Sequence, residues 1–292
     1  LKVVSGDLKL EFRTDTSVSA FVNSSGKVAG VIQQQIKDRN VNMELVREDL
    51  PPFSLQITGA QNNAVTRFLK SRNMGFKQLT ADVVSRKRNG IRVGFIANAP
   101  YFGEVRLDSV QLGAWQTGKS LVYSFAAGSS SEAWKGLFNI SVNGRMQEDH
   151  FRMELKQKDA QGKVGFDLGI NTVIGDTSVA VSFFPMNPIL GYSRWIVNAD
   201  NRVVIGPHGR IRANLNMAYQ NKLVHIQSLE DEGNQHERLR VEMAGLDLAG
   251  LSRMVPFMPQ LNGVLNTALL LYSQPQEMGV DGNVRIVELG YE

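Results

Sequence analysis

Apolar and polar side chains alternate with a period of two residues along most of this chain. The pattern is clear at Leu8, Leu10 and Phe12, which are separated by Lys9 and Glu11. The same alternation recurs in these sets: Val41/Met43/Leu45, Phe53/Leu55/Ile57, Ile91/Val93/Phe95, Leu121/Tyr123/Phe125, Phe138/Ile140/Val142, Phe151/Met153/Leu155, Val164/Phe166/Leu168/Ile170, Val179/Val181/Phe183 and Ile211/Ala213/Leu215/Met217/Tyr219. Because successive side chains of a strand point to opposite sides, each segment has one apolar and one polar face. The chain is therefore predicted to be mainly β, with antiparallel strands that bury one face.

Turn signals separate these strand candidates at short intervals. They are the dipeptides Ser25-Gly26, Asn89-Gly90, Asn143-Gly144, Gln161-Gly162 and Asp281-Gly282. Such pairs favour the positive backbone angles of tight hairpins. The predicted connectivity is thus a meander of sequential hairpins.

Helical signals are few and short. Residues 62–73 place Val65, Phe68 and Leu69 on one face, and Gly75 follows as a stop signal. Residues 130–137 and 246–254 are the other two candidates.

Composition excludes several classes of protein. The 292 residues are 42% hydrophobic and 21% charged, which is typical of a folded chain. No cysteine is present, so disulfide and thiolate chemistry are excluded. The net charge of +4 is spread along the chain, and the run from Arg86 to Arg88 is interpreted as a solvated turn flank, so no nucleic-acid partner is expected. The chain starts at Leu1 rather than Met and is interpreted as an internal piece of a longer protein.

One segment matches the phosphate-binding loop pattern G-x-x-x-x-G-K-[ST]. It is Gly113-Ala-Trp-Gln-Thr-Gly-Lys119-Ser120. Such a loop needs a following helix whose N-terminus faces the phosphates. Residues 119–125 instead alternate with a period of two, so a plain hairpin turn is predicted.

The remaining polar residues suggest no catalytic or metal site. The four histidines (His150, His208, His225 and His236) are scattered, and none has a ligand partner at the spacing of a metal motif. The acidic run at residues 230–232 is typical of a solvated loop, and the tryptophans Trp115, Trp134 and Trp195 are interpreted as packing residues. The chain is therefore predicted not to be an enzyme and to use no metal or cofactor.

The apolar face is the remaining candidate for function. It is compatible with the closed core of a β-sandwich or barrel, and equally with a sheet that stays open enough to hold acyl chains. The 10 methionines favour the second interpretation weakly, because a flexible thioether accepts varied apolar partners.

Residues 246–271 carry a more specific pattern. A short helical piece precedes Pro256-Phe-Met-Pro259, and a glycine-initiated strand follows with Leu265, Leu269 and Leu271. This order resembles a recurring unit of the TamB/AsmA-like envelope proteins. The segment at 190–201, with Trp195 before Asn198 and Asn201, is similar to another part of that family, and the helix–strand region at 62–84 resembles its Bacteroidetes-type version. The glycine usual after the Leu-x-Leu strand is replaced here by Tyr272-Ser273-Gln274.

The resemblance implies an elongated, curled antiparallel sheet, a β-taco or half-pipe, with an apolar interior groove and a few short helices. The whole chain, 1–292, would be one continuous β-rich segment of a longer repeat-like protein, and residues 184–190 are the best candidate for an internal boundary. The implied function is a segment of a conduit that shields phospholipid acyl chains between the inner and outer membranes during outer-membrane biogenesis. The alternative is a compact β-sandwich with a structural or adhesive role at the cell surface.

The same resemblance implies partners and location. The protein would be periplasmic, in a diderm bacterium, and held by an inner-membrane anchor that is absent from this chain. Regions outside this chain would contact an outer-membrane barrel of the Omp85/TamA type. The residues expected to line the lipid groove are Phe166, Leu168, Ile211, Leu215, Met217, Leu265, Leu269, Leu271, Val284 and Ile286.

Overall fold

The computed structural model describes residues 1–129, 139–207, 210–229, 237–252, 261–273 and 278–291. The chain is mainly β with antiparallel pairing and a few helices, as predicted. It separates into two compact units, Leu1–Met153 and Glu154–Glu292. Residues 184–190, the predicted boundary region, form the irregular end of a strand in the second unit.

The first unit contains eleven complete strands and three helices within its described part. In chain order they are β1 (Lys2–Ser5), β2 (Leu8–Thr14), α1 (Val18–Asp38), α2 (Met43–Asp49), β3 (Phe53–Gly59), α3 (Ala64–Ser71), β4 (Met74–Gly75), β5 (Gln78–Arg86), β6 (Gly90–Asn98), β7 (Tyr101–Phe102), β8 (Val105–Arg106), β9 (Ser109–Thr117), β10 (Ser120–Gly128) and β11 (Asn139–Gln147). The strands pair antiparallel in the order β1–β2–β3–β5–β6–β9–β10–β11, and β4, β7 and β8 form a small separate sheet. The predicted meander is therefore confirmed in this unit.

The second unit continues the same architecture. After β12 (His150–Lys158), which spans the division between the units, come β13 (Val164–Ile174), β14 (Val179–Leu190), β15 (Ser193–Arg194), β16 (Ile196–Val197), β17 (Arg202–Ile205), β18 (Ile211–Tyr219), β19 (Lys222–Leu229), β20 (Glu237–Asp247), α4 (Leu248–Ser252), β21 (Leu261–Ser273) and β22 (Met278–Tyr291). The main pairing order is β13–β14–β17–β18–β19–β20–β21–β22, while β15 pairs with β14 and β16 with β18.

Helix α1 is the largest element that the sequence pattern did not predict. Its N-cap is Ser17, whose side chain accepts a hydrogen bond from the Ala20 N–H. Phe21 and Val28, two helical turns apart, lie on its covered side. Because this face packs on the unit, the helix runs through Ser25-Gly26, and the turn predicted there is wrong.

Three other predictions from local pattern are wrong. The alternation at Val41, Met43 and Leu45 is not a strand, since α2 starts at Met43 behind the N-cap Asn42 and buries Met43 and Val46, which are three residues apart. Asn143-Gly144 and Asp281-Gly282 lie inside β11 and β22, because cross-strand pairing with Tyr123 and Leu269 continues through Gly144 and Gly282.

The other local predictions are confirmed where the structure describes them. Asn89-Gly90 and Gln161-Gly162 lie at turns, with φ angles of 68° at Gly90 and 78° at Gly162. Helix α3 starts with a reciprocal capping box between Asn63 and Thr66. Of the third predicted helix, residues 248–252 form α4, whereas Leu246 and Asp247 belong to β20 and residues 253 and 254 lie outside the described residues. The predicted helix at 130–137 and Phe138 lie outside the described residues.

Candidate functional site: an apolar sheet face in the second unit

The register of the second sheet aligns apolar residues of five strands on one side. Residues directly opposite each other in an antiparallel pair point to the same face. One row across the sheet is Leu215, Ile226, Val241, Leu269 and Gly282, and the next is Met217, Val224, Met243, Thr267 and Val284. We call this side the second apolar face.

Nine of the ten predicted groove residues fall on this face by register. Leu215, Met217, Leu269 and Val284 lie in the two rows above, and Leu271 is two residues beyond Leu269 on β21. Leu265 and Ile286 pair with each other, and Ile211 lies on β18 in phase with Leu215. Phe166 pairs with Leu190, which packs against the buried cluster of this face. Leu168 lies at the register shift between Asp167 and Gly169.

The centre of the second apolar face is closed by side chains. Trp195, Val197, Leu215, Met217 and Leu246 form a buried cluster, which we call the covered centre. Leu251 of α4 also packs against it. Leu215 and Met217 are only 5% and 6% exposed. These two predicted groove residues therefore lie in a packed core.

Polar side chains fix the chain segment that carries Trp195. The indole Nε1 of Trp195 donates to the Leu190 carbonyl at 3.1 Å. Asn201, itself buried, accepts from the Phe183 N–H at 2.6 Å and donates to the carbonyls of Phe183 and Asn198. We call these hydrogen bonds of Asn201 the Asn201 clamp. The sequence analysis assigned it no role, and the short spacing from Trp195 to Asn198 and Asn201 is its only signal in the sequence.

The opposite end of the face, on β22, is open. Val280, Val284 and Ile286 are 66%, 61% and 42% exposed, and we call these three residues the open end. Among the described residues, β22 forms a backbone ladder with β21 alone. The intervening Asp281, Asn283 and Arg285 point to the other side of the sheet. An exposed apolar row of this kind is unusual for a solvated edge strand.

The first unit has an apolar face of its own, which the sequence analysis did not single out. Phe12 and Phe53 of this face contact Phe21 of α1, with ring centroids 5.0 Å and 5.4 Å from Phe21. Further along, Val28, Met43 and Val46 of the two helices form a buried cluster against which Ile91 and Leu121 pack. Helices therefore cover this face at one end.

The phosphate-loop motif forms a β-hairpin, as predicted. Thr117 pairs with Ser120 across the two-residue turn Gly118-Lys119. The Ser120 hydroxyl is buried and donates to Gln147 Oε1 at 2.6 Å, while the Lys119 ammonium lies 3.6 Å from Glu148. The strand β10 follows the turn directly, so the motif lacks the helix N-terminus that a phosphate site of this type requires.

The histidines and tryptophans are separated in the described part of the chain. His150 contacts Asp149 and His225 contacts Glu242, while His208 and His236 lie outside the described residues. Within the described ranges no group of three or more histidine, aspartate or glutamate side chains is arranged to hold a metal ion.

Trp195 packs in the core as predicted, but Trp115 is 40% exposed, so its interpretation as a packing residue is wrong; Trp134 is not described.

Neither the described helices nor comparison with known proteins adds a candidate functional site. Among the described helices, none combines the length and apolar character needed to cross a membrane. The chain matches no family model, no curated protein and no solved structure.

Proposed function

We propose that this chain is a segment of a lipid-transfer conduit that shields phospholipid acyl chains on the second apolar face. The observation that carries the proposal is the pair of apolar rows that cross β18 to β22 and end at the open end. Side chains of Leu269 and Leu271 lie between the covered centre and the open end and are half-buried. Such a graded surface suits a ligand that is apolar and mobile.

The energetics favour an acyl chain as the occupant. Exposure of a lipid tail to water costs about 0.8 kcal/mol per CH₂ group. Strands are about 4.8 Å apart, so five of them make a surface about 19 Å wide, of the order of an extended acyl chain. A continuous apolar surface removes the cost at every step, and transfer along it requires no nucleotide.

The proposal includes a setting. The sheet would curl into a half-pipe whose interior is the second apolar face, within a periplasmic part of an envelope protein of a diderm bacterium. An inner-membrane anchor and contacts to an Omp85/TamA-type barrel would be supplied by other regions of the protein. The motivation for this setting is the similarity of residues 246–271 to TamB/AsmA-like proteins.

Site-specific photo-crosslinking tests the proposal directly. A benzophenone side chain at Leu269 or Val284 should crosslink to phospholipid in cells or vesicles, because both positions are on the second apolar face. The matched controls are Asn283 and Arg285, which alternate with Val284 on the same strand but point to the other side. Equal labelling at all four positions, or none at any, would contradict the proposal, as would purified protein without bound lipid in native mass spectrometry.

A second candidate function is a compact structural or adhesive β-protein. The packing of Leu215 and Met217 in the covered centre favours it, since a closed core has no room for a ligand. Small-angle scattering separates the two, because a compact chain of 292 residues has a radius of gyration of about 19 Å. A clearly larger value favours the conduit.

A further inference from the structure

A depression lies on the polar side of the first sheet, where two glycines face each other. Gly94 of β6 and Gly113 of β9 are directly opposite in the ladder. Elsewhere a cross-strand aromatic ring covers such a glycine: Tyr123 lies over Gly144, and Tyr272 over Gly279. At the Gly94–Gly113 pair the shorter side chains of Asp82 and Ser124 take that position, so the sheet surface is low there and forms the floor of the depression.

Polar groups reach over this floor from both sides. A Cβ on Gly94 would lie 2.5 Å from Asp82 Oδ1, and a Cβ on Gly113 would lie 2.7 Å from Ser124 Oγ. The floor is therefore bordered by a carboxylate from β5 and a hydroxyl from β10. In the described structure neither group makes a hydrogen bond, so their donor and acceptor capacity is available to a ligand.

Trp115 forms a wall beside the floor. Its ring is 40% exposed, and no aromatic or cation–π contact involves it among the described residues. Arg92 is directly opposite Trp115 in the ladder. Two adjoining cavities, of about 580 Å³ and 280 Å³, share Trp115, Arg92 and Asp82, and Arg86 lines the larger one. The larger volume is in the range of small-molecule sites, about 300–1,000 Å³.

The charges bordering the cavities select for an anionic ligand. The cavity lining carries two positive charges, on Arg86 and Arg92, and one negative charge, on Asp82. None of these three side chains forms an ion pair within the described residues. Guanidinium groups match the planar geometry of carboxylate and phosphate oxygens. The local balance therefore leaves one positive charge for an anionic group.

We infer that this depression, formed by Asp82, Arg92, Gly94, Gly113, Trp115 and Ser124, is a binding site for an acidic carbohydrate. The flat C–H face of a pyranose ring would pack on the exposed Trp115 ring, as amphipathic aromatic surfaces allow. Its hydroxyls, each both donor and acceptor, would pair with Asp82 and Ser124, and its carboxylate or phosphate with Arg92 or Arg86. The site lies on the polar side of the first sheet and does not depend on the proposed lipid conduit.

Calorimetric titration of the full chain tests this inference. The probes are a galacturonate trisaccharide and glucose 1-phosphate as acidic sugars, with maltotriose, AMP and inorganic phosphate as comparisons. We expect at least one acidic sugar to bind about tenfold or more tightly than maltotriose or phosphate. Binding of neither acidic sugar, equal binding of maltotriose, or tighter binding of AMP or phosphate would overturn the inference.

Variants make the assignment specific. Trp115→Ala should weaken acidic-sugar binding by about tenfold or more, which corresponds to the loss of one good contact. Gly113→Ala should do the same by raising the floor, and the Ser124 hydroxyl that its Cβ would meet can rotate away, so the fold should be kept. Lys9→Gln, on the polar side of β2, is the matched control and should leave affinity unchanged. Affinity that is retained in both site variants, with native circular dichroism spectra, contradicts the site.

Discussion

The covered centre and the open end lie on one face of the same sheet and differ in what packs on them. Met217 and Val284 are in the same cross-strand row, yet the first is 6% exposed and the second 61%. Around Met217, Trp195 and Leu246 complete a buried cluster, whereas β22 has a ladder partner on one side alone among the described residues. A shared register therefore determines the side of the sheet on which a residue lies but not its burial. The covered centre should therefore control stability, and the open end should control ligand binding.

The largest expected effect is at the covered centre. Leu215→Ala should lower the free energy of unfolding by about 2–5 kcal/mol, because it leaves a cavity in a packed cluster. Val284→Ala, the matched truncation at the open end, should change it by less than about 0.5 kcal/mol. Urea denaturation of the two variants measures both values. Similar losses would break the distinction between the two regions.

Removal of the Asn201 clamp should have the next largest effect. Asn201→Ala removes the side-chain partner of the Phe183 N–H and carbonyl, which lie in a half-buried position. The free energy of unfolding should therefore fall by about 1–3 kcal/mol. The same urea experiment applies, with Asn283→Ala on the exposed polar side of β22 as the control. A neutral Asn201→Ala variant would show that the Trp195 segment is held by packing alone.

Leu269→Asp probes the boundary between the two regions. Because Leu269 is half-buried, the lost apolar burial should cost about 1 kcal/mol, roughly half of that for a fully buried leucine, and partial desolvation of the new carboxylate should add to this loss. Lipid occupancy in native mass spectrometry should fall strongly, while Ala268→Asp, on the other side of β21, should leave it unchanged. If Leu269→Asp instead unfolds the chain, the closed-core alternative gains support.

The smallest change in stability is expected at the open end itself. Val284→Asp should alter the free energy of unfolding by less than about 0.5 kcal/mol, since the side chain is already largely in water. Its charge should nevertheless reduce phospholipid crosslinking from Leu269, whereas Asn283→Asp should not. Undiminished crosslinking in Val284→Asp would remove the open end from the proposed lipid path.

The period-two pattern predicted most strands because alternation is a local property of the chain. The hairpin at Gly118-Lys119 was likewise predicted correctly against a competing phosphate-loop motif, since the residues after it alternate. Local signals failed where packing opposed them. Ser25-Gly26 lies within α1 because Phe21 and Val28 pack on the sheet, and Met43 starts a helix because it and Val46 enter one cluster.

The glycine-containing dipeptides show the same failure of local sequence signals. Asn143-Gly144 has the composition of a turn, but Gly144 lies opposite Tyr123, whose ring occupies the space that a side chain would fill. The pair Gly94 and Gly113 gives no signal in the sequence, since the two lie 19 positions apart and only the pairing of β6 with β9 brings them together. The candidate carbohydrate site could therefore not have been predicted from spacing.

The alternation in the sequence is sufficient to predict antiparallel strands and the side chains that share a face, because it fixes the direction of each side chain once a strand exists. Contacts made in the folded chain determine which parts of that face are filled. Leu215 and Met217 are covered because Trp195 and Leu246, distant in sequence, pack beside them, and Val284 is open because no described segment does so. Burial depends on contacts between segments far apart in the chain, and a local pattern carries no information about them.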